Sequence, residues 1–361
     1  MRTQKQERLS LFSYFGGKAR FCKEIAEFLD YDHTDIYIEP FGGAASVLLN
    51  KPTHGMEIYS DVSRGLVALM TYLSDPDKAP ELIDSLYDTV YSIDCFNECL
   101  EYRNSVDDNY LLKRQKAVRK NKKEIKKTAQ ERIKKVMSLK EFKAMSADKQ
   151  RDLISQFIDD NSNPLFNEDE LTIISLLAAD SFDLNENTGI IKAPDPLKLA
   201  VATYVVYSMS RDGMGTAFSP SKFHSSEAYY KQIDRLYRVA ERLNGVQVIE
   251  GVGALTYLLD NSYLNDERAM FYIDAPYLSA DEDGKNLGIC YKAQMEERDH
   301  ELLLNTISKS KAKFLISNYD TDVYNRYLTD KKGWTKKTID TVTGVGGKKN
   351  NKRTECLWYN Y

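Results

Sequence analysis

Short apolar runs that close on a polar turn recur along the chain. Ile36-Tyr37-Ile38-Glu39 is β-rich, and Pro40-Phe41-Gly42-Gly43 follows it into the helix-prone stretch Ala44 to Leu49. Glu57-Ile58-Tyr59-Ser60 reads as a second strand ending at Asp61, and Leu66 to Leu73 continues as a helix. Strand, glycine turn, helix, strand, acid is the order of a βαβ unit. From about residue 74 to 195 the pattern becomes helical. Alternation then returns. Tyr229 to Leu243 places Ile233, Leu236, Ala240 and Leu243 on one helical face. Val246 to Ile249, Met270 to Ile273 and Lys313 to Ser317 read as strands, and Leu255 to Leu259 as a short helix. Glu355 to Tyr359 is a last strand, expected antiparallel at the sheet's end. There is no internal repeat. The layout predicts an α/β fold interrupted by a mostly helical insertion.

Composition adds a partner class. The 361 residues suffice for one large domain or two ordinary ones, and a hydrophobic share of 42% allows a sizeable core. The net charge of −4 hides an asymmetry: Lys113 to Lys135 holds twelve Lys/Arg against two Glu, +10, which leaves the remainder near −14. A basic segment on an acidic body points to a localised polyanion contact. Val118, Ile125, Ala129, Ile133 and Met137 give that segment a thin apolar stripe. A solvated helix with one docking edge and a nucleic-acid contact both fit it. The five cysteines, 22, 95, 99, 290 and 356, form no CxxC pair, which suits a reducing cytosol. No histidine accompanies Cys95 and Cys99, and no metal is expected. The polar N-terminus lacks an apolar leader core, and no run approaches a membrane span.

The chemistry sits at strand ends. The Gly42-Gly43 loop is placed where open α/β sheets bind ligands, but it has neither a GxGxxG pattern nor a P-loop. A nucleoside triphosphate and a nicotinamide cofactor are therefore disfavoured. Asp61 can accept from ribose hydroxyls or cap the helix that follows. Asp274-Ala275-Pro276-Tyr277 ends the strand Met270 to Ile273. The Asp274 carboxylate and the Ala275 carbonyl can both accept from one amino group, and Tyr277 offers a ring face. Together they would hold a flat, amino-bearing heterocycle such as a flipped adenine or cytosine. An Asx-type turn with a core tyrosine is the alternative.

In order, FSYFGGKAR, YIEPFGGAASVLLN, YSDVSRGLVALM, DAPY, KFLISNYDTDVY and RTECLWYNY resemble the motifs of DNA adenine-N6 methyltransferases of the Dam type. The resemblance covers roughly 9–72 and 200–361. It implies a Rossmann-like class I methyltransferase sheet with helices on both faces. The catalytic domain would comprise 1–72 and 230–361, and a helical target-recognition insertion 73–229. It implies S-adenosylmethionine as donor, no metal, and duplex DNA as partner. Tyr14, Lys18, Phe41, Gly42, Gly43, Asp61 and Asp274 would hold the donor, and Asp274, Ala275, Pro276 and Tyr277 the target base. SRDGMGTAFSPSKFH stands at the family's arginine-containing loop, so Arg211 and Lys222 are expected at DNA. Lys122, Lys123, Lys126 and Lys127 of the basic run would contact phosphates. Two features depart from the family pattern. Ala275 replaces the first proline of D-P-P-Y, keeping the carbonyl but losing a locked φ. Only Glu250 stands near the position where relatives touch the donor's adenine. A degenerate homologue that binds without turnover, or an enzyme acting on RNA adenine, is the alternative. The protein is expected in the cytoplasm as a monomer or weak dimer.

Overall fold

The computed structural model describes residues 8–106, 194–211, 213–223, 225–250, 253–259, 261–278, 295–342 and 352–361. The chain divides into two compact units, one of Met1–Asn104 with Pro194–Tyr361 and one of Ser105–Ala193. Lys122, Lys123, Lys126, Lys127 and the basic run around them lie outside the described residues.

The first unit is built on a seven-stranded sheet of β1 (Ile36–Glu39), β2 (Met56–Ser60), β3 (Gln247–Ile249), β4 (Ala269–Ile273), β5 (Lys313–Tyr319), β6 (Thr335–Val342) and β7 (Lys352–Tyr359). The strand order is β3-β2-β1-β4-β5-β7-β6. β1 to β5 run parallel, and β7 runs antiparallel to both β5 and β6. The last strand is thus antiparallel as expected, but it is not at the sheet's end. β6 takes the edge. Its Thr335, Lys336, Lys337 and Thr338 are all exposed, so it lacks the apolar signature of a buried strand. Exposed lysines on an edge also discourage pairing with a second sheet.

β1 and β4 are every-residue-buried strands, as expected when helices cover both faces of a parallel sheet. One face carries Tyr37, Tyr59, Met270, Tyr272, Leu315 and Leu357, packed under α1 (Cys22–Glu27), α2 (Ser46–Asn50), α3 (Arg64–Ser74), α4 (Ala79–Tyr87), α5 (Pro196–Met209), α6 (Ser226–Asp234) and α7 (Leu236–Leu243). The other carries Ile38, Phe271, Ile273, Phe314, Ile316 and Trp358 under α8 (Ala254–Leu259), α9 (Glu297–Ile307) and α10 (Asp322–Tyr327). The helix expected over 229–243 is two helices that meet at Arg235.

The segment 73–229, expected as one insertion, contributes α4, α5 and the helical residues 93–104 to the first unit. Asp195 caps α5 with its carboxylate, and Pro196 occupies the first turn, where its missing N–H costs nothing. α5 is apolar on every side and runs along α3, the behaviour of a helix buried all round. Contact with α3 is closest at Gly65, where an added Cβ would lie 2.3 Å from the Thr203 hydroxyl oxygen. Thr203 is fully buried and its hydroxyl has no hydrogen-bond partner. Gly65→Ala should therefore destabilise the protein by about 1–3 kcal/mol in urea unfolding, despite alanine's better helix propensity. Adding Thr203→Ala to that variant should recover much of the loss.

Candidate active site

β1 lies between β2 and β4, so the connections after β1 and β4 leave in opposite directions and open a crevice at their carboxyl ends. Side chains alternate faces along a strand. The registers Tyr272↔Leu315 and Tyr319↔Glu355 bring Tyr272, Ser317 and Glu355 onto the same face as Asp274. Polar groups from three strands therefore converge just where β4 ends.

Asp274 is the centre of this cluster. Lys18 donates to both of its oxygens, at 2.7 Å to Oδ1 and 2.8 Å to Oδ2. Ser317 Oγ donates to Oδ1 at 2.8 Å and lies 3.2 Å from the Tyr272 hydroxyl. Lys18 Nζ also donates to the Gly16 carbonyl at 3.1 Å and lies 3.6 Å from Glu355 Oε1. Burial by itself would lower the Lys18 pKa; Asp274 and Glu355 outweigh it and hold it raised. The ammonium stands over the Tyr277 ring, 4.6 Å from its centroid. Tyr277 donates its hydroxyl to Glu355 Oε1. Burial, then Asp274 and Glu355, keep the Tyr277 pKa well above that of an ordinary phenol.

The glycine loop forms the other wall. Gly42 N–H donates to the Ser60 carbonyl at 2.9 Å, and Ala45 N–H to Gly42 at 2.7 Å. Gly43 and Ala45 have φ of +50° and +53°, a region costly for alanine. A Cβ on Gly43 would come within 3.0 Å of the Tyr14 ring, and one on Gly42 would penetrate the Tyr59 ring. Both glycines are thus dictated by close approach. Phe41 is partly buried beside the loop. Asp61 Oδ2 accepts from Gly43 N–H at 2.8 Å, and Oδ1 from Ser63 N–H at 2.7 Å. Ser63, not Asp61, caps α3 through its hydroxyl. The capping alternative for Asp61 is thereby removed.

Behind the loop, Tyr14 meets Tyr207 edge-on with centroids 5.2 Å apart, and Phe12 stacks on Tyr207 at 4.9 Å. Residues 210–219 lean on the same segment: Phe15 N–H donates to the Gly213 carbonyl at 3.1 Å. Within that loop Arg211 is exposed. Lys222 turns inward and donates to the carbonyls of Tyr207 and Ser210, at 3.3 and 2.8 Å. Arg103, almost wholly buried, braces the loop by donating to Gly215 at 2.8 Å. Glu250 accepts from the Thr71 hydroxyl at 2.8 Å.

Residues 14–183 match the D12 class N6 adenine-specific DNA methyltransferase family. Over that stretch, just under half of its length, the chain is similar to this family. It methylates adenine in DNA, with S-adenosylmethionine as the methyl donor. No curated protein matches the chain. The family match ends before Asp274, and the fold brings the two parts together: Lys18 of the matched segment holds the carboxylate that ends β4.

The cluster around Asp274 includes residues that sequence reasoning passed over. Ser317 and Glu355 sit inside strands that were recognised, but their role depends on which strands pair. Glu39 ends β1, fully buried, and accepts from the Tyr37 hydroxyl at 2.7 Å and from Leu48 N–H at 3.1 Å. Burial pushes its pKa up to about 8.

His300 supports the β4 end from the opposite face. The Tyr324 hydroxyl accepts from Asn318 at 2.9 Å and lies 2.9 Å from His300 Nδ1. The imidazole tautomer sets the direction of that second bond. Burial pushes the His300 pKa down to about 4 from 6.5. Between those values the unfolded chain binds the extra proton, so His300 contributes stability above about pH 6.5 that is lost as pH falls toward 4, on the order of 3 kcal/mol. An NMR titration should find this imidazole still neutral at about pH 5; a midpoint near 6.5 would contradict the effect of its burial.

Proposed function

We propose that the convergence of the Asp274 carboxylate and the Tyr277 ring, beside the glycine loop of β1, receives an adenine turned out of the duplex. Asp274 Oδ1 already accepts from Lys18 and Ser317, whereas among the described residues Oδ2 accepts from Lys18 alone. An ionised carboxylate oxygen has about two acceptor sites, so Oδ2 keeps room for the target amino group. The Ala275 carbonyl is the second acceptor, and two acceptors on one amino group aim its lone pair. Tyr277 stacks on the base, with Pro276 fixing the turn between them.

S-adenosylmethionine supplies a methyl group on a sulfonium, open to direct displacement. The residues around the loop suit such a donor. Gly42 and Gly43 present bare backbone where any Cβ would clash. Asp61, which accepts from the backbone N–H groups of Gly43 and Ser63, is the carboxylate assigned to the ribose hydroxyls. Tyr14, Lys18 and Phe41 line the same wall. In the step itself the amino lone pair bonds the methyl carbon as the carbon–sulfur bond breaks, and the amino proton passes to Asp274. No enzyme nucleophile is needed. The rate then derives from positioning and from anionic charge beside the nitrogen that becomes cationic.

DNA contact is assigned to the loop of Arg211, whose guanidinium is exposed, with Lys222 holding the loop's shape. Lys122, Lys123, Lys126 and Lys127 are assigned to phosphates, within a recognition segment drawn from 73–229. The enzyme would act as a monomer or weak dimer in the cytoplasm, without a metal. No described helix is long and apolar enough to cross a membrane.

Incubation with S-adenosylmethionine and unmethylated duplex DNA, followed by digestion to nucleosides and mass spectrometry, should show N6-methyladenine. Asp274→Ala should lower its formation by roughly 10²–10³-fold; full activity in that variant would remove Asp274 from the reaction. Ala275→Pro, which fixes φ near −65° and keeps the carbonyl, should raise the single-turnover rate a few-fold. A tenfold fall would mean that the backbone here does not adopt the proline conformation.

A further inference from the structure

The structure assigns Glu355 of β7 as a positioning residue for methyl transfer, one that orients the Tyr277 ring and offsets the charge of Lys18 beside Asp274. This rests on the roles proposed above for Asp274 and Tyr277.

The orienting half follows from what touches the ring. The Tyr277 hydroxyl is bound to Glu355 Oε1. Tyr319 meets the ring edge-on, with centroids 4.7 Å apart and planes at 83°. The antiparallel register pairs Tyr319 with Glu355, so strand pairing delivers both contacts together. Tyr277 is thus held at its hydroxyl by Glu355, against a perpendicular Tyr319 ring, and under the Lys18 ammonium. A stacking platform needs a fixed plane, and the hydroxyl bond sets the rotation that the ring contacts leave free.

The electrostatic half is a matter of charge sums. Lys18 and Asp274 alone cancel. Glu355, 3.6 Å from Lys18 Nζ, brings the local sum to −1. Its side chain is 14% exposed and that of Lys18 is 8% exposed, so water screens this charge weakly. Transfer moves positive charge from the donor sulfur onto the amino nitrogen. A negative sum next to that nitrogen stabilises the charge where it arrives, whereas a neutral Lys18–Asp274 pair would not.

The test compares Glu355→Gln, Glu355→Ala, Tyr277→Phe and the Glu355→Ala/Tyr277→Phe pair. Single-turnover rates at saturating donor and unmethylated duplex DNA are read by N6-methyladenine mass spectrometry, with KM for DNA and thermal midpoints alongside. Glutamine keeps an acceptor for the tyrosine hydroxyl and loses the charge. Glu355→Gln should lower the rate about tenfold with KM for DNA and the melting midpoint little changed, a split that a merely structural role would not give. Tyr277→Phe should slow wild type several-fold but change the Glu355→Ala background by less than twofold, because the bond is already gone there. A Glu355→Gln rate within twofold of wild type, or losses that multiply in the pair, overturns the assignment. Glu355→Gln and Tyr277→Phe, both nearly isosteric, decide the matter if Glu355→Ala does not fold. Asp274→Ala is run in parallel: its inactivity beside an unaffected Glu355→Gln refutes only the Glu355 role, whereas its full activity refutes the underlying site.

Discussion

The Lys18 ammonium joins residues 256 apart in sequence, reaching both oxygens of Asp274 from a buried position. Taking an ammonium out of water costs several kcal/mol unless partners are fixed around it. Here the partners are Asp274, Glu355 and the Gly16 carbonyl, and two of the three belong to the sheet. The docked position of the N-terminal segment therefore depends on a sheet in which β5 joins β4 to β7. Once docked, that segment carries Tyr14 beneath Gly43 and Phe15 against Gly213. One buried cation thus couples the end of β4, the glycine loop and the loop of Arg211.

The same dependence explains what could be read in the sequence. β1, β2, β4 and β5 are sandwiched between helices, so they appear as unbroken apolar runs ending in polar residues. Asp61 and Asp274 stood out because each interrupts such a run where a strand surfaces. β6 was invisible for the opposite reason: Lys336 and Lys337 lie on an exposed edge, and its apolar content is low. α5 was hidden by excess. Buried over most of its length, it shows no stripe, and its place in the first unit could not be inferred from period. Ser317 and Glu355 required the pairing of β4 with β5 and of β5 with β7. Two strands can each be legible while their neighbours remain unknown, and a site assembled across three strands depends on the neighbours.

The glycine loop shows local sequence and tertiary packing dictating the same residues. Gly42 is required by the Tyr59 ring, whose hydroxyl also donates to the Gly43 carbonyl at 2.7 Å. Gly43 is required by Tyr14 and by its own positive φ. Ala45 adopts a similar φ with a side chain. It is fully buried at the entrance to α2, so packing compensates the backbone cost there. A loop held from below by two tyrosines and from the side by Asp61 is pre-organised, which spares ligand binding the entropy of ordering it.

Three carboxyl groups lie on one face of the sheet, Glu39 and Asp274 at the ends of β1 and β4 and Glu355 within β7, yet they do not carry equal charge. Glu39 is bound only by neutral donors, the Tyr37 hydroxyl and Leu48 N–H. With burial its pKa rises to about 8, and the group is mainly protonated at neutral pH. Asp274 and Glu355 flank an ammonium instead. Had Glu39 kept its charge, repulsion with Asp274 would have weakened the hold on a target amine and raised the cost of burying the cluster. Neutral donors at one strand end and a lysine at the next sort the three acids into a structural group and a charged pair. On the proposed reading, the sheet thereby concentrates its negative charge beside Asp274, where methyl transfer would create a positive one.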